Sequence, residues 1–232
     1  MKHRVPHACD KSVRNIATAA VLALSVPPYG AWAQGSNSAP DPLAVLEEAG
    51  RAYRAVPAVC ADFRQTLTVP LLDEDRAGRG RLCSQPPDRF AMRFAEPPGD
   101  LVVADGRWLW LYQPSADAKQ VLRSELVGGP RGIDFYAEFL AEPRTKSRAE
   151  YRARATLDGR AAHHLVLTPV GPAPYRSAEL WIDEGNGHVR QVVIREENGS
   201  VRTITLGRIE AGRPSPDFFR FTPPAGAHVI TR

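Results

Sequence analysis

Residues 62–69 read DFRQTLTV, with Phe63, Gln65, Leu67 and Val69 alternating with Asp62, Arg64, Thr66 and Thr68. Period two marks a strand with one buried face, because successive side chains of an extended chain point to opposite sides. The reading extends outward from there. Phe90, Met92 and Phe94 alternate with Arg89, Ala91, Arg93 and Ala95. Turn signals recur about every 8–12 residues from Val59 onward. Asp105-Gly106, Asp158-Gly159 and Asn198-Gly199 are hairpin turns in which glycine supplies a positive φ, and Glu184-Gly185-Asn186-Gly187 makes another. Runs centred on Tyr151, Leu165, Leu180, Val192 and Ile204 continue the meander. The pattern predicts a mainly β chain with helices (α+β), built on one antiparallel sheet of roughly ten or eleven strands.

Two segments break the period. Upstream, Asp41-Pro42 opens a helix: Asp caps the first free N–H groups, and Pro at the first helical position loses no bond it needed. Leu43, Leu46, Ala49, Tyr53 and Val56 then recur at spacings of three and four, with Glu47, Glu48, Arg51 and Arg54 opposite, up to Pro57. Between Gly132 and Pro143, Ile133, Phe135, Tyr136, Phe139 and Leu140 are spaced as a short insertion helix. Residues 34–41 are a polar, Pro-containing leader.

The formal net charge of +4 invites a polyanion-binding reading until it is located. Residues 1–33 carry Lys2, Arg4, Lys11 and Arg14 against Asp10, so +3 resides there and the remainder is nearly neutral. A basic start, the apolar run Ile16–Val26 and Ala31-Trp32-Ala33 before Gln34 fit a secretory signal peptide cleaved after Ala33. The apolar run is too short for a bilayer, which takes about 20 residues. Residues 34–232 balance their charges, which speaks against a nucleic-acid partner. Cys9 departs with the signal, leaving Cys60 and Cys83 for an oxidising compartment such as the periplasm. With Phe63 and Leu82 facing inward on adjacent strands, both cysteines fall on the outer face, either as two free buried thiols or as a disulfide, which would close a loop worth about 3 kcal/mol.

Candidate chemistry is sparse. There is no Gly-rich phosphate loop, nucleophile elbow or oriented His/Cys pair; His163 and His164 are adjacent in a strand and face apart. Neither a catalytic site, a cofactor nor a metal site is expected. Apolar residues are the abundant resource. A curled sheet gathers Phe63, Leu67, Leu82, Phe90, Met92 and Phe94 on its concave face, with only two helices to cover it. They form either an ordinary core or the wall of a cavity for a lipid.

A series of short motifs resembles a known family. Phe63-Arg64-Gln65 is followed by Gly80-Arg81-Leu82, Pro87-Asp88-Arg89-Phe90 and Pro97. Val102-Val103-Ala104-Asp105-Gly106 and Leu109-Trp110-Leu111-Tyr112-Gln113-Pro114 come next, and Phe219-Arg220-Phe221-Thr222-Pro223-Pro224-Ala225-Gly226 closes the chain. In order and spacing these are similar to the LolA family of periplasmic lipoprotein carriers, over about residues 41–230. The resemblance implies an unclosed β-barrel of about 11 strands with a helical lid, spanning 42–232. It implies a hydrophobic cavity for the acyl chains of lipoproteins, lined by Phe63, Leu67, Leu82, Phe90, Met92, Phe94, Val102, Phe135, Phe139 and Leu140. Phe90 matches a family phenylalanine at the cavity rim, and 133–140 a lid segment. The implied partners are acylated lipoprotein cargo, an inner-membrane lipoprotein-releasing ATPase complex and an outer-membrane acceptor, with the carrier itself a monomer. Family members carry an Arg before the Pro of the second-to-third strand connection that hydrogen-bonds to the lid. Here Pro86 stands there, so either another Arg serves, Arg89 being nearest, or the lid is held differently.

The physics of a carrier limits the lid. Each buried methylene contributes about 0.8 kcal/mol, so one 16-carbon chain contributes roughly 12 kcal/mol. Release then requires that lid side chains such as Phe135 and Phe139 compete for the same space. A half-barrel that senses lipid or lipoprotein to report envelope stress, and a carrier of free lipids, are the alternatives.

Overall fold

The computed structural model describes residues 39–126 and 134–232. The proposed signal peptide, most of the leader and Ile133 lie outside the described residues. Helix α1 (Pro42–Arg54) is capped as its sequence dictates, the Asp41 carboxylate accepting from the Leu43 N–H at 3.0 Å. Its buried face is Val45, Leu46, Ala49, Gly50 and Tyr53.

Among the described residues twelve strands follow: β1 (Val59–Val69), β2 (Glu74–Gln85), β3 (Arg89–Glu96), β4 (Leu101–Asp105), β5 (Trp108–Tyr112), β6 (Gln120–Glu125), β7 (Ser147–Leu157), β8 (Arg160–Pro169), β9 (Tyr175–Asp183), β10 (Val189–Glu196), β11 (Val201–Ala211) and β12 (His228–Thr231). They form one sheet in the order β12-β6-β5-β4-β3-β2-β1-β11-β10-β9-β8-β7. Two meanders, β1–β6 and β7–β11, are therefore joined through the long-range pair β1·β11, and the edges β12 and β7 do not pair with each other. The half-barrel is unclosed, as the family resemblance implies. The strand count differs by one, and the extra strand is not antiparallel. The C-terminal His228–Thr231 runs parallel to β6, a pairing that a four-residue segment with no hairpin partner does not announce.

The sheet is covered on both faces. On the concave side α1 and the segment Phe135–Leu140, whose residues Tyr136–Leu140 form a π-helical turn, pack on Phe63, Leu82, Phe90, Leu165, Leu180 and Leu206. On the convex side Phe219 and Phe221 of the C-terminal segment cover Val103, Trp110 and Val121. Trp110 thus faces outward and Leu109 inward, which settles a strand whose two faces are both apolar in sequence. Cys60 and Cys83 are directly paired across β1 and β2 on the convex side, and they form a disulfide. Parity along the two strands places both on that face.

Candidate functional site

Between the lid turn and the concave face lies an apolar-walled cavity of about 390 Å³. Each wall comes from a strand whose period-two pattern aims alternate residues inward. β3 contributes Met92 and Phe94, β4 Val102, β5 Leu109 and Leu111, β10 Ile194 and β11 Ile204, and the roof is Phe135 and Phe139. Phe94 is positioned by an edge-to-face contact with Phe63, ring centroids 4.9 Å apart. Gly78 on β2 makes room for that ring, since a Cβ there would stand 2.8 Å from Phe94 Cε1.

The structure divides the sequence-predicted residues into three groups. Met92, Phe94, Val102, Phe135 and Phe139 line the cavity. Phe63, Leu82, Phe90 and Leu140 are buried in the core around it, with Phe90 only 1% exposed. Leu67 is half-buried, one layer further along β1, opposite Arg202. The wall residues that sequence reasoning missed are Leu101, Leu109, Leu111, Pro174, Tyr175, Ile194 and Ile204, together with a polar set: Gln65, Gln113, Glu138, Glu196 and Arg202. The leucines and isoleucines carried a period-two signal. Of the polar ones, Gln65 shares the alternating face of Phe63 and Leu67, whereas Glu196 and Arg202 read as solvated positions beside a hairpin turn.

The lid is held by polar anchors. Asp134, 3% exposed, accepts from Ser84 Oγ at 2.8 Å and from the Tyr136 N–H at 3.0 Å. Burial raises its carboxyl pKa to about 6, the two hydrogen bonds offsetting only part of the desolvation. Tyr175 donates its hydroxyl to Glu138 at 2.7 Å, and burial together with that carboxylate pushes the phenol above its ordinary range. Arg54 of α1 reaches the Tyr136 hydroxyl at 3.3 Å. The Arg89 side chain is exposed and makes no hydrogen bond or ion pair among the described residues. In this chain Ser84–Asp134 links β2 to the lid. Behind the lid, Gly50 of α1 lets the backbone of Leu140 approach so closely that a Cβ would meet its carbonyl oxygen at 2.8 Å.

The chemistry this arrangement offers is sequestration of apolar chains. Among the described residues no group of His, Cys, Asp and Glu is placed to hold a metal ion, and no helix is long and apolar enough to cross a membrane. The cavity is at the small end of the roughly 300–1,000 Å³ of ligand sites. At that size it is of the order of one acyl chain.

The chain is similar in sequence and fold to known proteins. The sequence model of the family described as outer membrane lipoprotein carrier protein LolA matches residues 54–222. An outer-membrane lipoprotein carrier protein of Proteus mirabilis is 27% identical over 169 residues, covering 73% of this chain and 79% of its own. Its counterpart in Methylibium petroleiphilum is 30% identical over 173 residues, covering 74% and 82%. Among solved structures, an uncharacterized conserved protein from Thermus thermophilus is similar in fold, with a TM-score of 0.52 at 15% identity over 82% of this chain and 98% of that one.

Proposed function

The chain belongs to the LolA family of outer-membrane lipoprotein carriers, and from that premise we propose that it is a non-enzymatic periplasmic carrier of acylated lipoproteins. The observation that carries the proposal is the lidded cavity, whose lining is mostly apolar. Residues 1–33 would export it, and residues 42–232 would be the carrier domain. Cargo would pass from an inner-membrane ATPase complex to an outer-membrane acceptor.

The energetics support a carrier that opens. An acyl chain of 16 carbons offers roughly 12 kcal/mol of burial, yet the closed cavity holds about one such chain. Cargo with more than one chain must displace Phe135 and Phe139 from the roof. Part of the binding energy then goes into moving the lid, which leaves affinity low enough for handover.

Native mass spectrometry of the exported protein tests this. The expected spectrum contains a species whose added mass is a covalently acylated protein. A spectrum showing only the empty chain, or only free lipid, overturns the proposal.

A further inference from the structure

The inner wall of the half-barrel changes character with height. Strand register places Phe63 opposite Leu206 in a fully buried layer. One layer on, Gln65 stands opposite Ile204, itself opposite Val192, which pairs with Leu180. In the next layer Leu67, Arg202, Ile194 and Ala178 are aligned, and beyond them Glu196 pairs with Tyr175. An apolar floor therefore rises to a polar end built from β1, β11 and β10.

That end is a connected set. Arg202 donates Nε and Nη2 to Glu196 Oε1 at 3.2 and 3.0 Å, and Nη1 to Gln65 Oε1 at 3.3 Å. The two charged side chains are 32% and 25% exposed, so most of each is withdrawn from water. The guanidinium is thus already occupied by an internal carboxylate tethered six residues away. An incoming carboxylate or phosphate would have to displace Glu196, or sit beside it as a like charge in a partly desolvated site. A neutral amide or ester meets no such obstacle, and Gln65, whose Oε1 accepts from Arg202, has side-chain N–H donors to offer its carbonyl.

We propose that Gln65, Glu196 and Arg202 form a headgroup subsite that admits acyl chains ending in a neutral amide or ester and rejects acyl chains ending in an anion. This rests on the carrier reading and sharpens it. An apolar cavity alone does not distinguish a lipoprotein anchor from free fatty acid or anionic phospholipid, whose chains are the same. The pre-neutralised arginine supplies the distinction at the head. The selectivity is a negative one, built from an unfavourable encounter with the wrong ligand.

The test uses N-palmitoylglycinamide and N-palmitoylglycine, which differ only in a terminal amide or carboxylate, measured by equilibrium dialysis at pH 7.5 below their aggregation concentrations. The wild-type protein is expected to bind the amide at least tenfold more tightly. Glu196→Gln frees the guanidinium and should shift the ratio toward the carboxylate by about tenfold. Arg202→Gln leaves Glu196 uncompensated and should shift it the opposite way. A folding defect would weaken both probes together in both variants and cannot produce opposite shifts, so a ratio that moves in only one direction or not at all overturns the subsite. Equal wild-type binding of the two probes overturns the subsite while leaving the carrier reading intact. Binding of neither probe overturns both.

Discussion

Replacing Asp134 with Asn removes a charge that the closed lid holds in a poor place. The carboxyl is 3% exposed and its pKa is raised from 3.8 to about 6 by burial. At about 1.4 kcal/mol per pH unit, ionised Asp134 costs the folded state about 3 kcal/mol. The sign follows from linkage. The folded state binds this proton more tightly than the unfolded chain, so the stabilising contribution is complete below about pH 3.8 and is lost as pH rises to about 6. Asn has no such titration. Its one carbonyl oxygen keeps the Tyr136 N–H, more weakly than a carboxylate by about 1 kcal/mol, and its NH2 faces Ser84 Oγ, which turns to accept. Urea denaturation of both proteins from about pH 3.5 to 8, with the disulfide intact, isolates the effect as a difference, since other titrating groups cancel. The stability gap should move in favour of Asp134→Asn by about 3 kcal/mol between about pH 4 and 6.5 and be flat on either side. Ser84→Ala removes a donor that holds the pKa down, so the window should move to higher pH. A gap that does not vary with pH refutes the reasoning.

Other outcomes follow from the same geometry. Gly50→Ala places a methyl against the Leu140 carbonyl, so amide exchange across Tyr136–Leu140 should quicken although Ala favours the helix itself. Removing the disulfide by Cys60→Ser with Cys83→Ser should lower stability by about 3 kcal/mol in denaturant titration, and neither cysteine of the exported wild type should alkylate without reductant. Phe90→Ala and Phe94→Ala should separate. The first empties a fully buried site and should cost about 3–5 kcal/mol, whereas the second, in the cavity wall, should weaken acyl-chain binding with a smaller loss of stability by thermal unfolding.

Much of the architecture is legible because it is local. Asp41-Pro42 caps its helix through contacts two residues away, and Asp158-Gly159 turns its hairpin at φ of 49° and 75°. Strand parity alone puts Cys60 and Cys83 on one face, where they pair. What stays hidden depends on partners distant in sequence. The parallel pairing of His228–Thr231 with β6 and the cover of Phe219 over Trp110 arise when the chain end wraps round the convex face. Phe90 shows the limit most clearly. Alternation identifies it as inward, but whether an inward residue meets cavity or core depends on where α1 and the lid come to rest, and here it meets core. The Gln65–Arg202–Glu196 set needs the β1·β11 pairing, across 137 residues, to exist at all.

The central claim is that acyl chains of a lipoprotein occupy the space beneath the lid. A photoreactive phenylalanine analogue placed at Leu111, in the cavity wall, and at Thr66, exposed on β1, tests it in the exporting cell. The account predicts a light-dependent adduct with acylated lipoprotein at Leu111 and none at Thr66. Equal adducts at both positions, or an adduct at Thr66 alone, would contradict it.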